Sequence, residues 1–322
     1  MKQRLILFFV VVIISCGFVL LLISPLKSEG IFDGRTSIIP ANFENLPAVK
    51  PGPSEITKSD NFCEPALSGD SAIVVFYDTI NNYHQVLFEK DADKILPIAS
   101  LTKLMTAAVV LNDYPLEKII KVSHKPAGLS DNGAGIKIGD EFTIKDLLYP
   151  LLIESDNISA YALADNIGID NFTEKMNILA KEIGIDSSVF YDPAGLDPDT
   201  LLLNVNKSSA RDLYRLTAYL KDKPLIWEIL STPRISLYSP GNIFHHEVVS
   251  TDEFLEKRSV LWRDAIIGGK TGWTPMAKGC LMIAIKSPNG KGEITAVILG
   301  SDDRFKDMEN LIDWSLANYN WQ

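Results

Sequence analysis

After residue 70 the chain changes its apolar pattern twice, and the order of those changes restricts the folds open to it. Strand-like runs come first, at Ala72–Tyr77 and Gln85–Glu89, with a polar turn around Asn81-Asn82 that predicts a hairpin. Helical runs follow: Leu101–Leu111, Ile144–Ile153, Ile158–Ile167, Phe172–Ile183 and Ala210–Leu220. Ser209 caps the last of these, with Asp212 three residues on. Strand signals return at Phe244–Val249, Ile266–Gly272, Cys280–Lys286 and Ile294–Leu299. Ser287-Pro288-Asn289-Gly290 turns the last two into a second hairpin, and a final helix runs from Arg304 to Tyr319. Antiparallel strands from both ends can share one sheet, with the intervening helices forming a separate lobe. The predicted class is α/β in the α+β sense: an antiparallel sheet flanked by helices, with a helical lobe.

The N-terminus sets the compartment. Lys2 and Arg4 precede an uncharged apolar run, Leu5–Ile23. As a helix that run spans about 28 Å, close to the hydrocarbon thickness of a bilayer. It is longer than the signal-peptide core of about 7–15 residues, and no small-x-small cleavage site follows before Pro25. Residues 1–27 are therefore expected to be a membrane anchor, with a cytoplasmic N-terminus and all that follows extracytoplasmic, in the cell envelope. A cleaved signal peptide is the alternative. Ile13-Ile14-Ser15-Cys16 is similar to a lipoprotein processing box, but Gly17–Ile23 stays apolar after it. Residues 28–70, interrupted by Pro40, Pro47, Pro51, Pro53 and Pro65, read as an extended linker, leaving 71–322 as the folded domain. With 46% hydrophobic residues that domain can bury a sizeable core. A net charge of −10 without a basic stripe speaks against nucleic acid.

Cys63 and Cys280 would both lie outside the membrane, where a disulfide is permitted. Two thiols make no framework, and buried free thiols are the expectation. His84, His124, His245 and His246 have no metal-binding spacing, and adjacent residues of a strand point to opposite faces. The His245-His246 pair should therefore not chelate one ion, and neither a metal nor another cofactor is expected.

Three short motifs occur in fixed order: Ser100-Leu101-Thr102-Lys103, Ser155-Asp156-Asn157 and Lys270-Thr271-Gly272. The first two patterns also occur at Ser24-Pro25-Leu26-Lys27 and Ser59-Asp60-Asn61, where polar and proline-rich surroundings read as chance. Ser100 at the start of a helix has unpaired backbone donors and the positive dipole end beside it. Lys103, three residues on, shares its face. A serine needs a base to act as a nucleophile, and a lysine serves once it is neutral. Burial and a second cation lower a lysine pKa; the apolar flanks Pro97–Ala99 and Leu104–Ala107 would supply the first, Lys270 the second. Ser155 and Asn157 sit at a helix-to-helix turn, where Ser155 could relay a proton and Asn157 could donate to a substrate carbonyl. Capping of the helix near Ile158 would explain the same residues. Gly268–Gly272 is a strand edge with little side-chain bulk, which another backbone can approach. Lys270 and Thr271 could hold a terminal carboxylate there.

With these motifs the chain resembles the low-molecular-weight penicillin-binding proteins of the D-alanyl-D-alanine carboxypeptidase type, serine peptidase family S11, from about Ser71 to Tyr319. Pro97–Ala107, Gly139-Asp140 with Asp146-Leu147-Leu148, Phe190–Leu196, Ser209–Leu213 and Arg304-Phe305 add to the resemblance. It implies a β-lactamase/transpeptidase-like fold, with Ser100 as the acylated nucleophile, Lys103 as its base, and Ser155 and Asn157 completing the proton network. Lys270, Thr271 and Arg304 would hold the carboxylate of a terminal D-alanine, with Gly272 and Trp273 as further substrate-binding residues. The backbone N–H groups of Ser100 and Trp273 would form the oxyanion hole. The implied substrate is the peptidoglycan stem peptide, with β-lactams as covalent inhibitors. Trp273 departs from the family pattern, and the N-terminal segment would replace a C-terminal anchor.

A class A β-lactamase would need a glutamate in an E-x-x-x-N context for deacylation. Asp192-Pro193-Ala194-Gly195-Leu196 offers none. A D,D-endopeptidase acting on cross-links uses the same motifs. A non-catalytic binder of cell-wall peptide would be marked by a lost motif residue, and none is lost.

Overall fold

The computed structural model describes residues 56–59, 63–123, 135–198, 204–257 and 260–321. The expected anchor, most of the expected linker and His124 lie outside these residues. Among the described residues no helix is long and apolar enough to cross a membrane. In chain order the elements are β1 (Ser71–Asp78), β2 (Tyr83–Lys90), β3 (Leu96–Pro97), α1 (Thr102–Asp113), β4 (Ile119–Lys121), β5 (Glu141–Thr143), α2 (Ile144–Leu152), α3 (Asn157–Asp165) and α4 (Ile169–Glu182). They continue with β6 (Lys207–Ser208), α5 (Ala210–Leu220), α6 (Pro224–Leu230), β7 (Arg234–Ser239), β8 (Ile243–Val249), β9 (Ile266–Thr274), β10 (Lys278–Lys286), β11 (Gly292–Ser301) and α7 (Arg304–Ala317).

Five strands form the main sheet in the order β2-β1-β11-β10-β9, every pair antiparallel. The two ends of the domain thus meet in one sheet, Ser71 opposite Leu299 and Asp78 opposite Gly292. β1, β10 and β11 read as near-continuous apolar runs because both faces of the sheet are covered. Ile73, Val75, Met282, Val297 and Leu299 face one core, shared with α1 and the helical lobe. Val74, Phe76, Leu281, Ile283 and Ile298 face a second core, closed by Met308, Leu311 and Ile312 of α7. Each such side chain contributes about 1.5–3 kcal/mol by leaving water. α1 lies between sheet and lobe and is buried from Thr102 to Val110, as a helix apolar on every side must be.

The short helix α6 and strand β7 carry weak signals that the sequence reading missed. β8 does not join the main sheet but pairs with β7 in a separate hairpin. In it, Leu237 faces His246 while Tyr238 faces Phe244, so His245 is the extra residue of a β-bulge. The bulge abolishes the alternation assumed for His245-His246, and the two rings meet with centroids 4.9 Å apart. Of the two outer cysteines only Cys280 is buried, where its surroundings push the thiol up to about 12; Cys63 is exposed, and both are free.

The folded body also begins before Ser71. Ile56 is buried, and its N–H and C=O pair with the Gln85 side chain at 3.0 and 2.8 Å. Further on, the buried Asp307 carboxylate accepts from Ser68 N (3.0 Å), Ser68 Oγ (2.7 Å), Gly69 N (2.8 Å) and Ser301 Oγ (2.6 Å). Proline content signalled a linker, but side chains from β2 and α7 satisfy its last backbone groups. Asp307→Ala leaves these donors unpaired and should lower unfolding free energy by about 2–4 kcal/mol. Asp307→Asn should cost less. Denaturant melts would measure both, and an alanine variant as stable as the parent would mean that Ser68–Gly69 is not docked through Asp307.

Candidate active site

Ser100 sits in a single 3-10 turn, Ala99–Leu101, that runs into α1 without a side-chain cap. Two glycines fix this turn. At Gly195 (φ +82°) an added Cβ would fall 1.9 Å from the Ala99 carbonyl oxygen, so only glycine lets the 192–196 loop press here. A Cβ on Gly272 of β9 would come within 3.0 Å of Ser100 N. The glycine-rich edge therefore serves close approach within the fold. Gly268 packs against Leu230 and Trp227 of α6, and Gly269 against Asp252 and Ile283.

Lys103 projects from the first turn of α1 and is fully buried. Its Nζ donates to Ser100 Oγ (2.9 Å), Asn157 Oδ1 (2.7 Å) and the Ala194 carbonyl (2.9 Å). Burial lowers its pKa to about 8, against the opposing pull of Asp192 and Asp156. Lys270 of β9 is equally buried and donates to Ser155 Oγ (2.8 Å) and the Thr271 carbonyl (2.9 Å). Burial first, then Lys103 and Arg304, push it well below the ordinary lysine range. Like charges disfavour each other, so Lys103 and Lys270 each press the other toward the neutral form, with Asp192 and Asp156 opposing this at Lys103 and Asp252 opposing it at Lys270.

The Ser155-Asp156-Asn157 motif divides its labour. Asp156 caps α3 by accepting from Ser159 N at 2.5 Å. Ser155, held at φ +63°, and Asn157 are left to meet the two lysines, Ser155 on Lys270 and Asn157 on Lys103. The structure thus gathers Ser100, Lys103, Ser155, Asn157 and Lys270. Thr271 Oγ1 lies 2.5 Å from Thr251 Oγ1. Trp273 is 60% exposed farther along β9. Arg304 opens α7 half-buried, its Nε without a hydrogen-bond partner among the described residues.

Three supporting residues escaped the sequence reading. Asp192 Oδ1 accepts from Ala194 N and Gly195 N, both at 2.7 Å, and so aims the Ala194 carbonyl at Lys103. Asn206 ties this loop to α1, accepting from Tyr191 N (2.7 Å) and donating to Thr102 Oγ1 (3.0 Å). Thr251 holds the opposite wall, its N–H donating to the Ile153 carbonyl at 3.0 Å. The Asp-Pro-Ala-Gly order is an Asx-turn signal that could have identified Asp192; nothing local marks Asn206 or Thr251. The arrangement pairs a hydroxyl with a buried amine that is neutral above about pH 8, and β9 is an edge strand that an extended peptide can extend.

The chain is 31% identical over 259 residues to the D-alanyl-D-alanine endopeptidase of Escherichia coli, spanning 78% of each. It is 26% identical over 283 residues to the D-alanyl-D-alanine carboxypeptidase DacF of Bacillus subtilis, covering 83% of this chain and 67% of that one. Among solved structures, penicillin-binding protein D2 of Listeria monocytogenes in its ampicillin-bound form aligns with a TM-score of 0.66 at 27% identity, covering 79% of this chain and 99% of that one. Residues 58–303 match the D-alanyl-D-alanine carboxypeptidase family, Peptidase S11, and the chain belongs to that family of serine peptidases.

Proposed function

We propose that this protein removes the terminal D-alanine of peptidoglycan stem pentapeptides through an acyl-Ser100 intermediate. One observation carries the reading: Ser100 Oγ lies 2.9 Å from the fully buried amine of Lys103, whose pKa is about 8. The substrate extends the β9 edge, its terminal carboxylate meeting Lys270, Thr271 and Arg304, with Gly272 beneath its backbone. That negative charge restores the proton affinity that burial removes from Lys270. Neutral Lys103 takes the Ser100 proton as Oγ attacks the scissile carbonyl. The backbone N–H groups of Ser100 and Trp273 receive the oxyanion, and Asn157 donates to the preceding substrate carbonyl. Ser155, hydrogen-bonded to Lys270, passes a proton to the departing D-alanine amine. Water then hydrolyses the ester. A β-lactam enters by the same attack, and without a glutamate to activate water its acyl-enzyme persists.

A second reading, endopeptidase cleavage of cross-links, is favoured by the Escherichia coli relative named above. Residues 1–27 are proposed to anchor the protein in the membrane and 28–70 to lead outward to the peptidase domain, on the strength of the Leu5–Ile23 run behind Lys2 and Arg4.

Mass spectrometry of purified pentapeptide monomers and cross-linked dimers, incubated with the protein, separates the readings. Loss of one alanine from the monomer, absent with Ser100→Ala, is the expected result; cleavage of dimers alone would move the assignment to endopeptidase. Turnover retained in the serine variant would remove Ser100 from its role. The rate of acylation by a fluorescent penicillin should rise with pH and reach half its plateau near pH 8, as the lowered Lys103 pKa releases the free amine. Lys103→Ala should be slower by at least about a hundredfold and lack that limb. A rate flat through pH 8 would show that Lys103 is not the base.

A further inference from the structure

The β7–β8 hairpin holds a cluster that the peptidase chemistry leaves unused. The bulge at His245 sets its Nδ1 2.7 Å from Nδ1 of His246. Each outer nitrogen faces a carboxylate: His245 Nε2 lies 3.0 Å from Asp140 Oδ2, and His246 Nε2 lies 3.1 Å from Glu154 Oε1. The four groups form a chain, Asp140–His245–His246–Glu154, that runs from the loop before β5 to the residue preceding Ser155. All are mostly withdrawn from solvent, from 12% exposed at His246 to 27% at Asp140. Phe142 packs edge-on against His245, with centroids 5.1 Å apart.

Counting hydrogens decides what this chain requires. It has three contacts, and each needs one hydrogen. A neutral imidazole carries one N–H and an imidazolium two, while an ionised carboxylate only accepts. Two neutral rings supply two hydrogens, so one contact sets lone pair against lone pair. Two charged rings supply four, so N–H faces N–H between the rings. Only three hydrogens, one ring charged and one neutral, complete every contact, and the single positive charge then lies between two carboxylates. Glu247, next to the pair on β8, faces Arg234 at 3.7 Å, and Asp140 Oδ2 also accepts from the Lys137 backbone N–H at 2.7 Å. Among the described residues no three or more His, Cys, Asp or Glu side chains gather as a metal site.

The end of this chain bears on the active site. Ser155 is held at φ +63°, a conformation costly for a side chain with a Cβ and kept only where the surroundings enforce it. β8 and the residues after it hold the preceding residues twice, through His246 on the Glu154 carboxylate and through Thr251 N on the Ile153 carbonyl. We propose that His245 and His246 share one excess proton between Asp140 and Glu154, and that this three-hydrogen chain clamps the Ser155 turn against the β7–β8 hairpin. His246 and Glu154 are positioning residues, acting on Ser155 through the backbone. Gain or loss of one proton breaks a link and loosens the turn. The proposal uses the peptidase reading only for the role of Ser155.

Two measurements on the full chain test it. Nitrogen-15 spectra of the histidine rings, assigned with His245→Gln and His246→Gln, should reveal a three-hydrogen state lying between the two- and four-hydrogen states. Two imidazoles titrating independently would overturn the shared proton. The penicillin acylation rate of the parent should exceed that of His246→Gln by roughly tenfold in the pH interval of the three-hydrogen state, the factor one charge-assisted hydrogen bond supplies. The ratio should fall toward one on either side; taking a ratio cancels the pH dependence that Lys103 imposes on both proteins. A ratio constant with pH would reduce His246 to a packing role and overturn the clamp. Glu154→Gln, which keeps the acceptor oxygen without its charge, should give a smaller peak and serves if the histidine variant does not fold. If the parent is not acylated at any pH, the peptidase reading fails, and loss of the three-hydrogen state in Glu154→Gln then judges the link to the Ser155 turn.

Discussion

A buried lysine amine must be given acceptors, and the architecture around Ser100 is organised by the three that Lys103 receives. They come from three separate parts of the chain: the turn before α1, the start of α3, and the 192–196 loop. Holding all three on one nitrogen fixes the sheet-facing helix, the helical lobe and the loop relative to one another. The same requirement explains the stiffness of the loop, since Asp192 and Asn206 spend their hydrogen bonds aiming one carbonyl. Desolvation of the amine then follows from the fold itself. α1 is buried on every side because it fills the gap between sheet and lobe, and any charge in its first turn shares that burial.

The second lysine is treated differently, and the contrast divides the site into two halves. Asp192 and Asp156 oppose the effect of burial on Lys103, whereas Lys270 lies among Lys103, Arg304 and one opposing carboxylate, Asp252. One half therefore keeps a base near its working range, while the other stores an unmet demand for negative charge. A ligand with a terminal carboxylate meets that demand directly.

Much of this was legible in the sequence. α5 begins and ends where periodicity and the Ser209 cap place it, and the two hairpins that build most of the sheet announce themselves through turn residues. The three motifs identified the central side chains because their chemistry is tied to short spacings. What stayed hidden depends on tertiary geometry. The His245 bulge arises from a pairing offset between β7 and β8, which alternation cannot foresee. Asn206 and Thr251 act across long separations in sequence. Residues 56–70 looked like linker because their backbone partners, Gln85 and Asp307, lie on β2 and α7.

β1 sits inside the sheet, yet one of its neighbours is the last strand to be made, with Ser71 paired to Leu299. The hairpin β1–β2 is local in sequence, but one edge of β1 stays open until β11 arrives. Loop closure over so much chain is slow, and topologies dominated by distant contacts fold late. Ser100 and Lys103 come early in the chain, whereas β9, which carries Lys270, joins the sheet through β10, beside β11. The two buried lysines are thus brought together only by contacts between distant parts of the chain, the class of contact that forms slowly.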